Sequence, residues 1–172
     1  HNFSKPGNSN ELIFKKVFEE VNTKEYDFFV IQITSSLRFC LVENGYLVSI
    51  SSNSQKSSGT SNLISKIVFG SGSKLDSDLW YELTRWKLVC LHDFLIRKNV
   101  KHLFVCMLDN DLNKIVNDMH TPNSLKQVIC DQSMKQFCIA NKHRLGVNWH
   151  PLEKASLHIA KDLILPKIKE LL

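Results

Sequence analysis

Apolar positions along this chain follow two spacings, and they meet in the stretch Leu79 to Leu108. From Leu79 to Lys98 the spacing is helical, with Leu79, Leu83, Trp86, Cys90 and Phe94 forming a core stripe that Leu91 and Leu95 widen. Asp76 or Ser77 caps this helix, Asp78 and Glu82 suit its positive end, and Arg97 and Lys98 suit its negative end. From Val100 to Leu108 the apolar run is nearly continuous, which predicts a strand buried on both faces. Such a strand needs helices on each side, so the stretch reads as one unit of an α/β layer.

The rest of the chain fits around it. Asn10 caps a first helix in which Ile13, Val17 and Val21 recur every fourth residue, flanked by Phe14 and Phe18. Tyr26 to Thr34 is aromatic and β-branched and predicts a strand. Leu37 to Val42 and Tyr46 to Ile50 flank Glu43-Asn44-Gly45, and Asn-Gly supplies the positive φ angles of a hairpin turn. Residues 51–62, SSNSQKSSGTSN, have almost nothing to bury and predict a mobile loop, after which Leu63 to Phe69 alternates as a strand. The glycine-serine run Gly70 to Ser73 lacks the lysine and spacing of a phosphate-binding loop. Beyond Leu108 a short helical pattern with Leu112, Ile115 and Val116 ends at Thr121-Pro122-Asn123-Ser124. Leu125 to Cys130 fits a strand or a helix start equally well. Ser133 to Lys142 predicts a helix, Leu145 to Trp149 a strand, and Pro151 the first residue of a helix through Leu165 that Pro166 interrupts or kinks.

Composition changes this picture little. A chain of 172 residues, 43% hydrophobic and 23% charged, can bury roughly 70% of its unfolded surface without a staple. The five cysteines form no C-x-x-C pair and lie in apolar runs, as reduced core residues of an intracellular protein would. The net charge of +5 falls short of a dedicated nucleic-acid domain. No apolar run approaches the roughly 18 residues that span a bilayer. The Asn2-Phe3-Ser4 sequon is a chance match in an intracellular setting. A start at His1 without methionine suggests a piece of a larger protein.

Candidate chemistry is sparse. Asp109 and Asp111 follow the carboxyl end of a strand, where open sheets bind ligands, and with Asp131 they form the weak candidate for a metal-dependent phosphodiester enzyme. The same Asp-Asn-Asp run also suits a polar turn that caps a helix. His120, His143, His150 and His158 lack the H-x-x-x-H spacing of zinc ligands and read as single surface or capping residues. Neither a G-x-S-x-G elbow nor a cysteine in a polar, electropositive setting is present. Lys135, Lys142 and Arg144, with Lys126, Lys154 and Trp149 near in sequence, are candidates for contact with a partner or a nucleic-acid backbone. Trp80 and Trp86, six residues apart, cannot both sit at the stripe's centre, so the one left at the surface is a candidate partner anchor.

In the second half, the helix Leu79 to Lys98, the strand N-V-K-H-L-F-V-C, and the runs S-M-K-Q-F-C-I-A-N-K-H-R-L-G-V-N-W and P-L-E-K-A-S-L-H-I-A-K resemble the apical domain of group II chaperonins and chaperonin-like proteins. The likeness covers about half of the chain. It implies a non-catalytic peptide- or partner-binding module with contacts on the helices Ser133 to Lys142 and Leu152 to Leu165. The segment Asn113 to Gln132 is longer than that family's turn, and no helical lid extension is evident. A second likeness is to a degenerate XPF-type nuclease fold used as a heterodimer scaffold, without its E-R-K signature. The expectation is therefore a single α/β domain over residues 1–172 with a mixed sheet, an N-terminal β-hairpin and C-terminal β-α units. Its expected role is a non-enzymatic interaction or scaffold domain within a larger complex, needing no cofactor and no membrane.

Overall fold

A computed structural model describes residues 9–23, 26–34, 39–43, 46–50, 77–107, 111–146 and 151–172, with backbone alone described at 39–43, 46–50, 77–80 and 111. The serine-rich 51–62 segment, the strand expected over Leu63 to Phe69, Asp109, Trp149 and His150 lie outside the described residues.

The described elements are mostly helical: α1 (Asn10–Thr23), β1 (Phe28–Ile33), β2 (Phe39–Glu43), β3 (Tyr46–Ile50), α2 (Ser77–Arg97), β4 (Lys101–Cys106), α3 (Asp111–Asn117), α4 (Asn123–Gln127), α5 (Met134–Ala140), α6 (Glu153–His158) and, after a π-helical turn at Ile159–Ile164, α7 (Leu165–Leu171). Two compact units result. One holds residues His1–Thr23 and Thr34–Lys87; the other holds Lys24–Ile33 and Leu88–Leu172.

Where one mixed sheet was expected, the described strands form two two-stranded sheets. Among the described residues β2 pairs only with β3, antiparallel, with Glu43 opposite Tyr46 as a two-residue connection requires. β1 instead pairs in parallel with β4, Phe28 opposite Lys101 through Ile33 opposite Cys106. Parallel strands need a crossover connection, and here the connection carries the hairpin and the whole of α2.

In the first unit α1 turns Phe14 and Val17 inward, as its spacing predicts. Asn10 is the first helical residue of α1, and its side chain reaches Thr34. It is 2% exposed and holds the Thr34 backbone, its Nδ2 donating to the Thr34 carbonyl at 3.1 Å and its Oδ1 accepting from the Thr34 N–H at 2.9 Å. Buried amide groups need such partners.

In the second unit β4 is covered on both faces, as its nearly continuous apolar run predicts: every residue from His102 to Cys106 is buried. The Phe104 N–H donates to the Val128 carbonyl and its carbonyl accepts from Cys130, each at 2.8 Å, which adds a short parallel bridge at Ile129. The undecided Leu125–Cys130 segment is thus both elements in turn, a short helix and then a bridge. On one face of β4, Leu103 and Val105 pack with Cys130, Phe137, Cys138, Ala155, Ile159 and Leu163. α5 opens with a reciprocal cap in which the Ser133 hydroxyl accepts from the Gln136 N–H and the Gln136 side chain accepts from the Ser133 N–H.

The C-terminal helix departs from expectation at both ends. Pro151 lies in a bridge with Leu145, and α6 begins two residues later at Glu153. Pro166 does not break the helix, because the preceding turn is π-helical and Pro166 enters α7 in its first turn, where a missing N–H leaves no bond unmade.

Candidate functional site

α2 is rotated relative to the expected stripe. Tyr81, Thr84, Arg85, Leu88, Leu91, His92 and Leu95 are buried, while Leu83, Trp86 and Cys90 face outward. Two interleaved apolar stripes satisfy a 3.6-residue period in this sequence, and the leucine-rich one, completed by Leu88, Leu91 and Leu95, took the core. Trp86 is 59% exposed, and the Arg85 guanidinium lies 5.3 Å from its ring centroid. Arg85 is itself buried and held by the Glu82 carboxylate at 2.6 Å. The indole is therefore braced against a fixed cation and still faces outward. The Trp80 side chain is outside the described residues. On the same unit, Lys87 pairs with Glu11 of α1. Burial works to raise the Glu11 carboxyl, but the Lys87 ammonium and the Ser9 hydrogen bond outweigh it and hold it below the usual value.

The reading of cysteines as core residues holds for Cys106, Cys130 and Cys138 and fails for Cys90, which the rotation of α2 exposes. Burial pushes the thiols of Cys130 and Cys138 up, so both stay protonated and apolar in character.

The second unit contains two histidine pairs that spacing did not foretell. His102 Nδ1 lies 3.0 Å from the Val100 carbonyl, which only accepts, so Nδ1 carries the proton and Nε2 is an acceptor. His92 Nδ1 then donates to His102 Nε2 at 2.8 Å, and His92 Nε2 accepts from the Ser124 hydroxyl at 3.1 Å. One directed chain of neutral groups joins α2, β4 and α4. Burial, and after it the neighbouring His102, pushes His92 down to about 4 against the opposing pull of Asp93. Burial also lowers His102, against the Val100 hydrogen bond. Every ring nitrogen in the chain is used, so its evident work is to lock three elements together. The second pair, His143 and His158, has its Nε2 and Nδ1 atoms 3.1 Å apart.

Of the other sequence candidates, Asp109 and Trp149 lie outside the described residues and Asp111 is described in its backbone alone. Asp131 is exposed beside Lys167, and Asp111 opens α3. Among the described residues no three His, Cys, Asp or Glu side chains are arranged to hold a metal ion. Lys142 and Arg144 are exposed at the turn after α5, and Lys135 is half-buried, its N–H donating to the Met107 carbonyl. Among the described residues no helix is long and apolar enough to cross a membrane.

Lys142 is set by the backbone. It sits at φ 56°, where the Lys142 N–H donates to Ile139 and the His143 N–H donates to Cys138, the closing pattern of a helix that favours glycine at this position. Lys142→Gly is expected to stabilise the protein by about 0.5–1 kcal/mol, the relief of left-handed strain less the entropy that glycine adds to the unfolded chain. A higher urea midpoint at unchanged slope would show it. Asn99 closes α2 in the same way at φ 55°, with Val100 N–H donating to the Leu95 carbonyl at 2.9 Å.

No family model, no curated protein and no solved structure matches this chain.

Proposed function

We propose that this protein is a non-enzymatic interaction module, a piece of a larger protein or assembly, that anchors a partner chain through Trp86. The observation that carries this reading is the exposure of Trp86 with Leu83 beside it on the outward face of α2. Arg85 holds the indole in a fixed setting, so little side-chain freedom is lost on binding. Large aromatic side chains of this kind carry much of the energy in protein interfaces. The chaperonin apical-domain resemblance is consistent with a binding role, and Ile139, Leu157 and Leu165 on the helices it points to are exposed. The test is quantitative affinity capture under native conditions with the wild-type chain and Trp86→Ala. At least one partner is expected to fall by tenfold or more in the variant, as loss of a hot spot of about 2 kcal/mol requires. An identical set of partners from both chains, or only the monomer from each, overturns the reading.

A further inference from the structure

We propose that His143 and His158 form a binding site for a divalent transition-metal ion, with Zn²⁺ or Cu²⁺ as the fitting class. The two ring nitrogens that face each other, His143 Nε2 and His158 Nδ1, are 3.1 Å apart. Two imidazole nitrogens on one tetrahedral ion, each about 2.0–2.1 Å from it, lie about 3.3 Å from one another. Turning both rings so that their lone pairs converge off the N···N line, with the bridging proton moved to the other nitrogen of its own ring, replaces the hydrogen bond with an ion shared by both lone pairs.

The fold places the pair with unusual backbone on both sides. His143 follows Lys142, a non-glycine residue at φ 56°, and its N–H is tied to the Cys138 carbonyl. Its ring lies over Phe137 at 6.3 Å between centroids and 24° between planes, which limits its rotation. His158 is the last residue before the π-helical turn Ile159–Ile164. Such turns recur at functional sites because they re-aim a side chain at the cost of a regular hydrogen bond. A strained residue before one ligand and a π turn after the other is backbone expense concentrated at one spot. Both rings are half-buried, so an ion reaches them from solvent.

The choice of ion follows from the donors. Neutral imidazole suits zinc, copper and nickel, whereas calcium and magnesium require oxygen ligands. Lys142, Arg144, Lys154 and Lys161 stand on either side of the pair in sequence, against Glu153 and Asp162. With neutral nitrogen donors, affinity follows the strength of the metal–nitrogen bond, which ranks Cu²⁺ above Zn²⁺. No third protein ligand converges among the described residues.

The experiment uses the untagged chain. Zn²⁺ is titrated by calorimetry and Cu²⁺ by electron paramagnetic resonance at neutral pH, with wild type, His143→Gln, His158→Gln and the control His120→Gln. Wild type and control are expected to bind alike with two nitrogens coupled to copper, and each of the other variants to lose at least tenfold in affinity. A parallel measurement needs no variant: Zn²⁺ is expected to slow diethyl pyrocarbonate modification of His143 and His158, mapped by mass spectrometry. Equal affinity in all four chains, or unprotected rings at both positions, overturns the proposal and leaves the pair as a hydrogen bond only.

Discussion

Lowering the pH from 7 to 5 is expected to remove about 2 kcal/mol of stability through His92 alone. In the folded chain burial and His102 push this imidazole down to about 4, while the unfolded residue titrates near 6.5. Between those values the unfolded state takes up a proton that the folded state refuses, so stability is complete above about pH 6.5 and falls as the pH drops toward 4. The limit is about 3 kcal/mol, from 1.36 kcal/mol per pH unit. His102 shifts in the same direction and adds to the loss. The structural cause is specific. A proton on His92 Nε2 removes the acceptor for Ser124, and a proton on His102 Nε2 turns it from acceptor to donor against the His92 Nδ1–H. Thermal melts followed by circular dichroism from pH 7 to 4.5 should show a falling midpoint in wild type. His92→Gln should be less stable at pH 7 and less sensitive to acid. A wild-type midpoint that stays level from pH 7 to 5 would sink this account of the histidine chain.

The second large effect is expected at Phe104. Its side chain is fully buried in a strand paired on one edge with β1 and bridged on the other at Ile129. Its ring meets His102 edge-on at 5.3 Å between centroids. Phe104→Ala removes a large apolar group from a site whose backbone is held on both sides, so the cavity cannot collapse, and a loss of about 3–5 kcal/mol is expected. Trp86→Ala is the contrast: although the side chain is larger, its 59% exposure and absence from the core predict a change within about 0.5 kcal/mol. Urea unfolding of the two variants beside wild type reads both. Comparable losses at the two positions would mean that Trp86 packs in solution and that the anchor role assigned to it is wrong.

The sequence carried those features whose cause is local. β4 was legible because a run apolar at nearly every position has only one comfortable setting, between two covering layers. The hairpin was legible because Asn-Gly between two apolar runs specifies both the turn and the register. α5 and α1 were legible from periodicity and polar first residues. Pro166 misled, since its effect depends on the hydrogen-bonding of the turn before it, and a π-helical turn removes the conflict.

What required the tertiary structure was every choice between alternatives of similar local merit. α2 has two apolar stripes, and only its neighbours decide which is buried. Thr84, Arg85 and His92 make the winning stripe look polar in sequence, yet each side chain's cost of burial depends on partners such as Glu82 and His102 that the helical period cannot reveal. The histidine pairs are brought together across separations of 10 and 15 residues by the end of α2 and by the turn after α5, so no spacing rule for one helix face detects them. The exposure of Trp86 and the meeting of His143 with His158 both follow from such choices. Periodicity determined which segments would be helix or strand; packing and pairing determined which of their side chains were left facing solvent and one another.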